Sequence, residues 1–356
     1  MKKLSFFLTF ALIVSLLSGC AGTPVVYYSD CTCPTGSHET VVTPTAAPVI
    51  GEGALKTGLY IGTGIGESKN ASDEENGEAK YDVTVVAVTV DDDGVIHSCV
   101  IDSIGTSVTF DASGAITSDL TSDVLTKNEL GENYGMKMYA GSKYEWNEQA
   151  AALANYAVGK TVEELKNGAI DETGYASDAD LASTATIYLG SYVSGIEAAV
   201  ANAQHLGAQA GDKLRLAVIP TLGSSKGADA ENAGTAQLDA DVTALTMNGD
   251  TITSCYIDSL QAKVSFDAAG AITTDLSAPV QTKNELGENY GMKMYAGSQY
   301  EWNEQAAAFA RYVTGKTADE VAGIAVSEGK PADADLASTV TIAIGGFQAL
   351  IQKAAK

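Results

Sequence analysis

Residues 126–142 read "TKNELGENYGMKMYAGS", and residues 282–298 repeat those letters without a change. The likeness continues, loosened, as "KYEWNEQAAALANYAVGKTVEEL" in the first copy and "QYEWNEQAAAFARYVTGKTADEV" in the second. Upstream, "VTFDASGAITSDL" (108–120) is echoed by "VSFDAAGAITTDL" (264–276), and beyond that the match fades to "LYIGTGIGES" against "LAVIPTLGSS". Self-similarity at a fixed spacing marks a duplicated unit. The repeats run from 52 to 206 and from 211 to 356, joined near "AQAGDK".

Each repeat follows one grammar. In "YDVTVVAVTVDDDGVIHSCVIDSI" two β-branched runs flank a turn at Asp91–Gly94, which predicts a hairpin; "MNGD" (247–250) makes the matching turn. A second hairpin is expected across 108–120, turned at Asp111–Gly114. Ser142 and Glu145 have capping-box spacing ahead of "YEWNEQAAALANYAV", a helix closed by Gly159, and Thr161 with Glu164 opens a shorter one. Strands first and helices after predict an α+β fold: two tandem homologous domains, each an antiparallel sheet with helices packed on it.

The amino terminus reads as an export and anchoring signal. A basic "MKK" precedes the apolar run "LSFFLTFALIVSLLSG", too short for a comfortable membrane span. It ends in Leu17-Ser18-Gly19-Cys20, which resembles the bacterial lipobox. Such processing removes residues 1–19 and acylates Cys20, whose lipid chains hold the protein to the bilayer. The expected location is extracytoplasmic, anchored to the cytoplasmic membrane as a lipoprotein. Residues 20–51 carry the lipid site and a stalk without helical or strand period, holding four of the seven prolines.

Composition removes several function classes. A net charge of −24 repels nucleic acid and anionic lipid headgroups. The chain has three histidines, His38, His97 and His205, and none recurs in the other repeat, which excludes a shared His-based triad or His-rich metal site. Cys31 and Cys33, with His38 nearby, fall short of a closed zinc site. Cys99 and Cys255 hold matching places on strands, as small buried residues. "GTGIGES" (62–68) lacks the Lys-Ser/Thr of a phosphate loop and reads as a glycine-rich bend. No catalytic residue is assigned.

A hydroxyl-rich phrase also occurs twice, "DADLASTATI" (178–187) and "DADLASTVTI" (333–342). Two readings stand. In one, Asp180 or Ser183 is a plain N-cap of the helix that follows. In the other, the threonine hydroxyls lie at the positive end of that helix, where a phosphate is favoured.

The spacing resembles the Asp-x-x-Ser-Gly-Ala-Thr motif of the FMN-binding domain family. That family includes flavin-carrying components of the sodium-pumping NADH:quinone reductase and of the Rnf complex, together with surface flavin lipoproteins. The resemblance places Asp180, Ser183, Ala185 and Thr186 on the motif in the first repeat, and Asp335, Ser338 and Thr341 in the second. "GLYIGTGIGES", the strands, "VGKTVEEL" and the closing "IYLGSYVSGIEAAV" are similar to the family's order of elements. It implies FMN joined through its phosphate to the hydroxyls of Thr186 and Thr341 by a flavin transferase. Thr184 and Thr339 stand where the motif has Gly, and Val340 where it has Ala; a Gly needed for its φ or for close backbone approach would bar transfer.

The unchanged 126–142 block needs a constraint. Tyr139 and Trp146, matched by Tyr295 and Trp302, either wall an isoalloxazine ring or pack helix on sheet as core. The resulting expectation is a membrane-tethered electron carrier rather than a catalyst, receiving electrons from a membrane donor such as a quinol oxidase and passing them to a surface acceptor. The alternative is a non-catalytic lipoprotein that keeps the fold and binds a ligand or protein without flavin.

Overall fold

The computed structural model describes residues 53–356; the signal segment, Cys20, the stalk and Cys31, Cys33 and His38 lie outside the described residues. Strands β1 (Lys56–Gly64), β2 (Gly77–Val90) and β3 (Ile96–Phe110) form an antiparallel sheet in the order β1-β2-β3. The second repeat repeats it as β4 (Lys213–Thr221), β5 (Gly234–Asn248) and β6 (Thr251–Phe266). The β2–β3 hairpin turns where the Asp/Gly signal lies. Asp91 accepts from the N–H groups of Asp93 and Val95 at 3.0 and 2.9 Å, giving the bend its own hydrogen bonds.

Helices follow in both halves. The first has α1 (Lys127–Leu130), α2 (Met136–Ala140), α3 (Trp146–Ala157), α4 (Val162–Gly168), α5 (Ala179–Ala182) and α6 (Gly190–Ala201). The second has α7 (Lys283–Leu286), α8 (Met292–Ala296), α9 (Trp302–Val313), α10 (Ala318–Ala322), α11 (Ala334–Ala337) and α12 (Gly345–Ala354), with a two-residue β7–β8 pair (Val326–Ser327, Lys330–Pro331) before α11. Among the described residues no helix is long and apolar enough to cross a membrane.

The period-2 pattern of the strands decides the layering. In β2, Tyr81, Val83, Val85 and Ala87 face the other sheet, while Val86 and Val88 face α3 and α6. In β5, Leu238, Ala240, Val242 and Ala244 face the first sheet, while Leu245 and Met247 face α9 and α12. The two sheets therefore share one apolar core, and each carries its helices on its outer face. The order is helix, sheet, sheet, helix.

The halves meet with internal two-fold logic. The N–H of Ala71 donates to Gly270 at 2.9 Å, and the N–H of Ala228, its counterpart, donates to Gly114 at 2.8 Å. Gly114 and Gly270 both have φ near +70°, and a Cβ on either would stand within 2.7 Å of the opposing alanine methyl. Thr57 and Ser254 share a buried hydrogen bond of 2.7 Å, and Lys353 pairs with Glu129 at 2.6 Å.

Two local expectations are corrected. The second hairpin is a turn without a return strand: Asp111 builds the bend, but the chain after it contributes one bridge, Phe110 to Ile116. Its short apolar content, "AI", gives no further residues to pair. At α3 the cap is Glu145, not Ser142. Glu148 accepts from the Glu145 N–H at 2.7 Å, while Ser142 turns its hydroxyl to Tyr144 O. The buried Glu145 carboxylate instead accepts from the N–H groups of Met136 and Lys137, at 2.7 and 3.0 Å, fixing α2 against α3. The Thr161–Glu164 capping box forms as read.

Candidate functional site

The repeated phrase folds into a one-turn helix of its own. Asp178 caps α5 by accepting from the N–H groups of Asp180 and Leu181, each at 3.0 Å. Asp333 caps α11 through Leu336 N–H at 3.0 Å. Asp180 and Ser183 are thus not caps of the closing helix. The Ser183 hydroxyl donates back to Asp180 O at 2.7 Å, and Ser338 does the same to Asp335 O. α6 begins only at Gly190, and the N–H groups of Leu189 and Gly190 at its start donate to Gly174 O. The cap expectation failed because an aspartate two residues upstream won, and the turn it opened ended at Ser183.

Thr186 sits on the exposed connection between α5 and α6, and its partner is distant in sequence. Gln149, fully buried on α3, turns its Oε1 toward it and accepts from Thr186 N–H at 2.7 Å, Ile187 N–H at 3.1 Å and the Thr186 hydroxyl at 3.2 Å. Its Nε2 donates to Tyr144 O at 3.0 Å and Ser142 Oγ at 3.3 Å. Gln305 holds Thr341 and Ile342 in the same way, with distances of 2.8, 3.2 and 3.2 Å. One buried carboxamide thus ties the phrase to the unchanged block in each repeat. Sequence reasoning missed this residue, although "NEQAAA" stands in both copies; an unexplained polar residue on an otherwise apolar helix face was the signal.

The substituted motif positions fit their backbone. Thr184 and Thr339 have negative φ, since Glu328 is the one non-glycine residue with positive φ among those described. A glycine is therefore not required there for conformation. Thr186 and Thr341 are exposed residues, and each hydroxyl donates to its glutamine at 3.2 Å.

The aromatic residues in and just after the block divide into two sets. Trp146 is buried, and its indole N–H donates to the Tyr192 hydroxyl at 3.1 Å with the rings edge to face. Trp302 packs on Phe347 in the second half. These tryptophans belong to the helix-on-sheet core. Tyr139 and Tyr295 are more than four-fifths exposed, beside the open Met138 and Met294. Tyr139 and Trp146 therefore do not form one wall for a ring, nor do Tyr295 and Trp302. The residues present do not assemble the aromatic slot expected for a flavin ring.

A pocket of about 320 Å³ opens in the first half beside β1 and the start of α6. It is lined by Tyr60, Asp82, Thr63, Ser103, Lys127 and Tyr192 among others. A larger hollow, about 500 Å³, is a shallow one along the acidic loop that carries Glu74 and Glu75. Among the described residues no cluster of three His, Cys, Asp or Glu side chains could hold a metal ion. Cys99 and Cys255 are free thiols, and burial pushes both up to about 12, which leaves them unreactive at neutral pH.

Comparison of this chain with protein-family models, with curated proteins and with solved structures finds no match.

Proposed function

We propose that the chain is an extracytoplasmic lipoprotein, tethered through acylated Cys20, that carries FMN on Thr186 and Thr341 and relays electrons at the outer face of the cytoplasmic membrane. The observation that carries this reading is the matched pair of exposed threonines, each set in place by a buried glutamine. Thr184 and Thr339 lie in ordinary backbone, which answers the objection from φ and leaves the one from backbone approach standing. FMN, when bound, supplies the one- and two-electron chemistry. The chain's own residues fix the attachment points: Gln149 and Gln305 hold the threonine-bearing segments, and Glu145 and Glu301 hold the neighbouring α2 and α8 turns. The partners are a flavin transferase, a membrane electron donor and a surface acceptor.

A second reading, a ligand- or protein-binding lipoprotein without flavin, is favoured by one specific observation. The N–H groups of Thr186 and Ile187, the natural donors to a phosphate, are already taken by Gln149. Flavin fluorescence in denaturing gels separates the two. A band at the mass of this chain, present only when a flavin transferase is co-expressed, supports the carrier. A dark band beside a fluorescent control substrate supports the second reading.

A further inference from the structure

The pocket of the first half lies where the second half is built differently, and the residues that make the difference are identifiable by register. Tyr60 lies over Gly62, where a Cβ would stand 2.3 Å from its hydroxyl, and packs against Gly195 of α6. The equivalent strand positions in β4 are Ala217 and Ile219, so aliphatic bulk stands where the first half has a tyrosine folded over glycine. Tyr192 is matched by Phe347, which has no hydroxyl.

The charged groups differ more sharply. Asp239 faces Gln261 across β5 and β6, and its carboxylate accepts from the side chains of Ser224, Gln237 and Gln261 at 2.5, 2.6 and 3.2 Å. Tyr290 in turn donates to Gln261 at 3.2 Å. The second half thus satisfies its own aspartate. In the first half Asp82 faces Gly105. Among the described residues no side chain donates a hydrogen bond to Asp82, and its nearest cation, Lys80, is 3.9 Å away and engaged with Glu67.

Lys127 lines the same pocket, and its ammonium forms no ion pair among the described residues. It stands 5.2 Å from the ring centres of Tyr134 and Trp146. A Cβ added at Gly105 would lie 3.8 Å from Lys127 Cε and 3.9 Å from Asp82 Oδ1, so the missing side chain leaves a gap between a cation and an anion that do not bond each other. The Thr63 hydroxyl is buried without a partner.

We infer that this pocket binds a small zwitterion, of which a free amino acid is the simplest, with its carboxylate on Lys127 and its ammonium on Asp82. Thr63 and Ser103 supply neutral hydrogen bonds, and Tyr60 and Tyr192 supply apolar surface for the remainder. A concave site of this size with a few convergent polar groups is the ordinary form of a small-molecule site. A ligand that pairs both charges gains charge-assisted hydrogen bonds, which a one-charge analogue forgoes on one side. The inference does not depend on flavin at Thr186.

The test is calorimetric titration of the full chain, in detergent, with each of the proteinogenic amino acids in turn. For any that binds, its deaminated acid and its decarboxylated amine follow. At least one amino acid is expected to bind saturably, and both truncated forms at least about tenfold more weakly. Gly105→Gln, which restores the side chain of the second half, is expected to weaken binding by a similar factor, as is Asp82→Asn. The inference is overturned if no amino acid binds, if either truncated form binds as tightly as its parent, or if both variants bind as the natural chain does.

Discussion

Phe110 and Phe266, the last residues of equivalent strands, stack on each other with ring centres 3.9 Å apart and planes 2° from parallel. Each is fully buried, and each is the other's counterpart in the repeat. A residue that meets its own copy lies on the internal two-fold axis, as at a two-fold dimer interface. The duplication therefore produced one body whose central core belongs to neither repeat alone.

Truncating either ring leaves a cavity at the centre of that core and an unmatched partner. Phe110→Ala and Phe266→Ala are each expected to lose about 3–5 kcal/mol. The double variant should lose less than their sum, because the ring pair is removed once. Denaturant unfolding of the three variants measures this.

The aromatic residues in and just after the unchanged block are expected to separate by role. Trp146→Ala and Trp302→Ala should destabilise by about 3–5 kcal/mol, since both side chains are core. Tyr139→Ala and Tyr295→Ala should stay within about 0.5 kcal/mol of the natural chain, since both are exposed. Equal losses at all four positions would contradict this division.

Gln149 offers a local readout. Gln149→Leu removes the acceptor for Thr186 and Ile187 N–H groups, and on the order of 2 kcal/mol of stability with it. Amide exchange at 186 and 187 should accelerate by more than exchange across β2. Uniform acceleration would mean that the glutamine acts only through global stability.

Asp258 gives stability a pH dependence of known sign. Burial pushes its carboxyl up to about 6, against opposing hydrogen bonds from the Thr282 side chain and the Asn284 and Ser259 N–H groups. With the folded value raised, its contribution to stability is complete below the unfolded value of about 4 and is lost as the pH rises through about 6. Asp258→Asn keeps an Oδ1 acceptor for both N–H groups and removes the titration. Between about pH 4 and about pH 7 the natural chain should lose on the order of 2 kcal/mol relative to the variant. Asp102, its counterpart, is shifted in the same direction by burial.

The architecture was legible where the sequence carries period and punctuation. The β2–β3 hairpin with its Asp91 turn, the Thr161 cap and the α+β class all rest on local patterns. What was not legible is long-range. Alternation in β2 says that two faces are buried, but not that Tyr81 and Val83 meet the other repeat rather than a second layer of helices. Gln149 stands out as a polar residue on an apolar helix face, but only folding brings it to Thr186. The pocket depends on Gly105 lying opposite Asp82, a register that neither residue announces. The phrase is visible as a pattern, yet Asp178 and Asp180 are equally good caps by type, and only geometry chooses Asp178.

The most direct test of the carrier reading is the intact mass of the chain co-expressed with a flavin transferase, alongside Thr186→Ala and Thr341→Ala. The account predicts a gain of one FMN for each threonine used, lost site by site in the two variants. An unchanged mass, with the transferase active on a control substrate, would contradict it and leave a flavin-free binding protein.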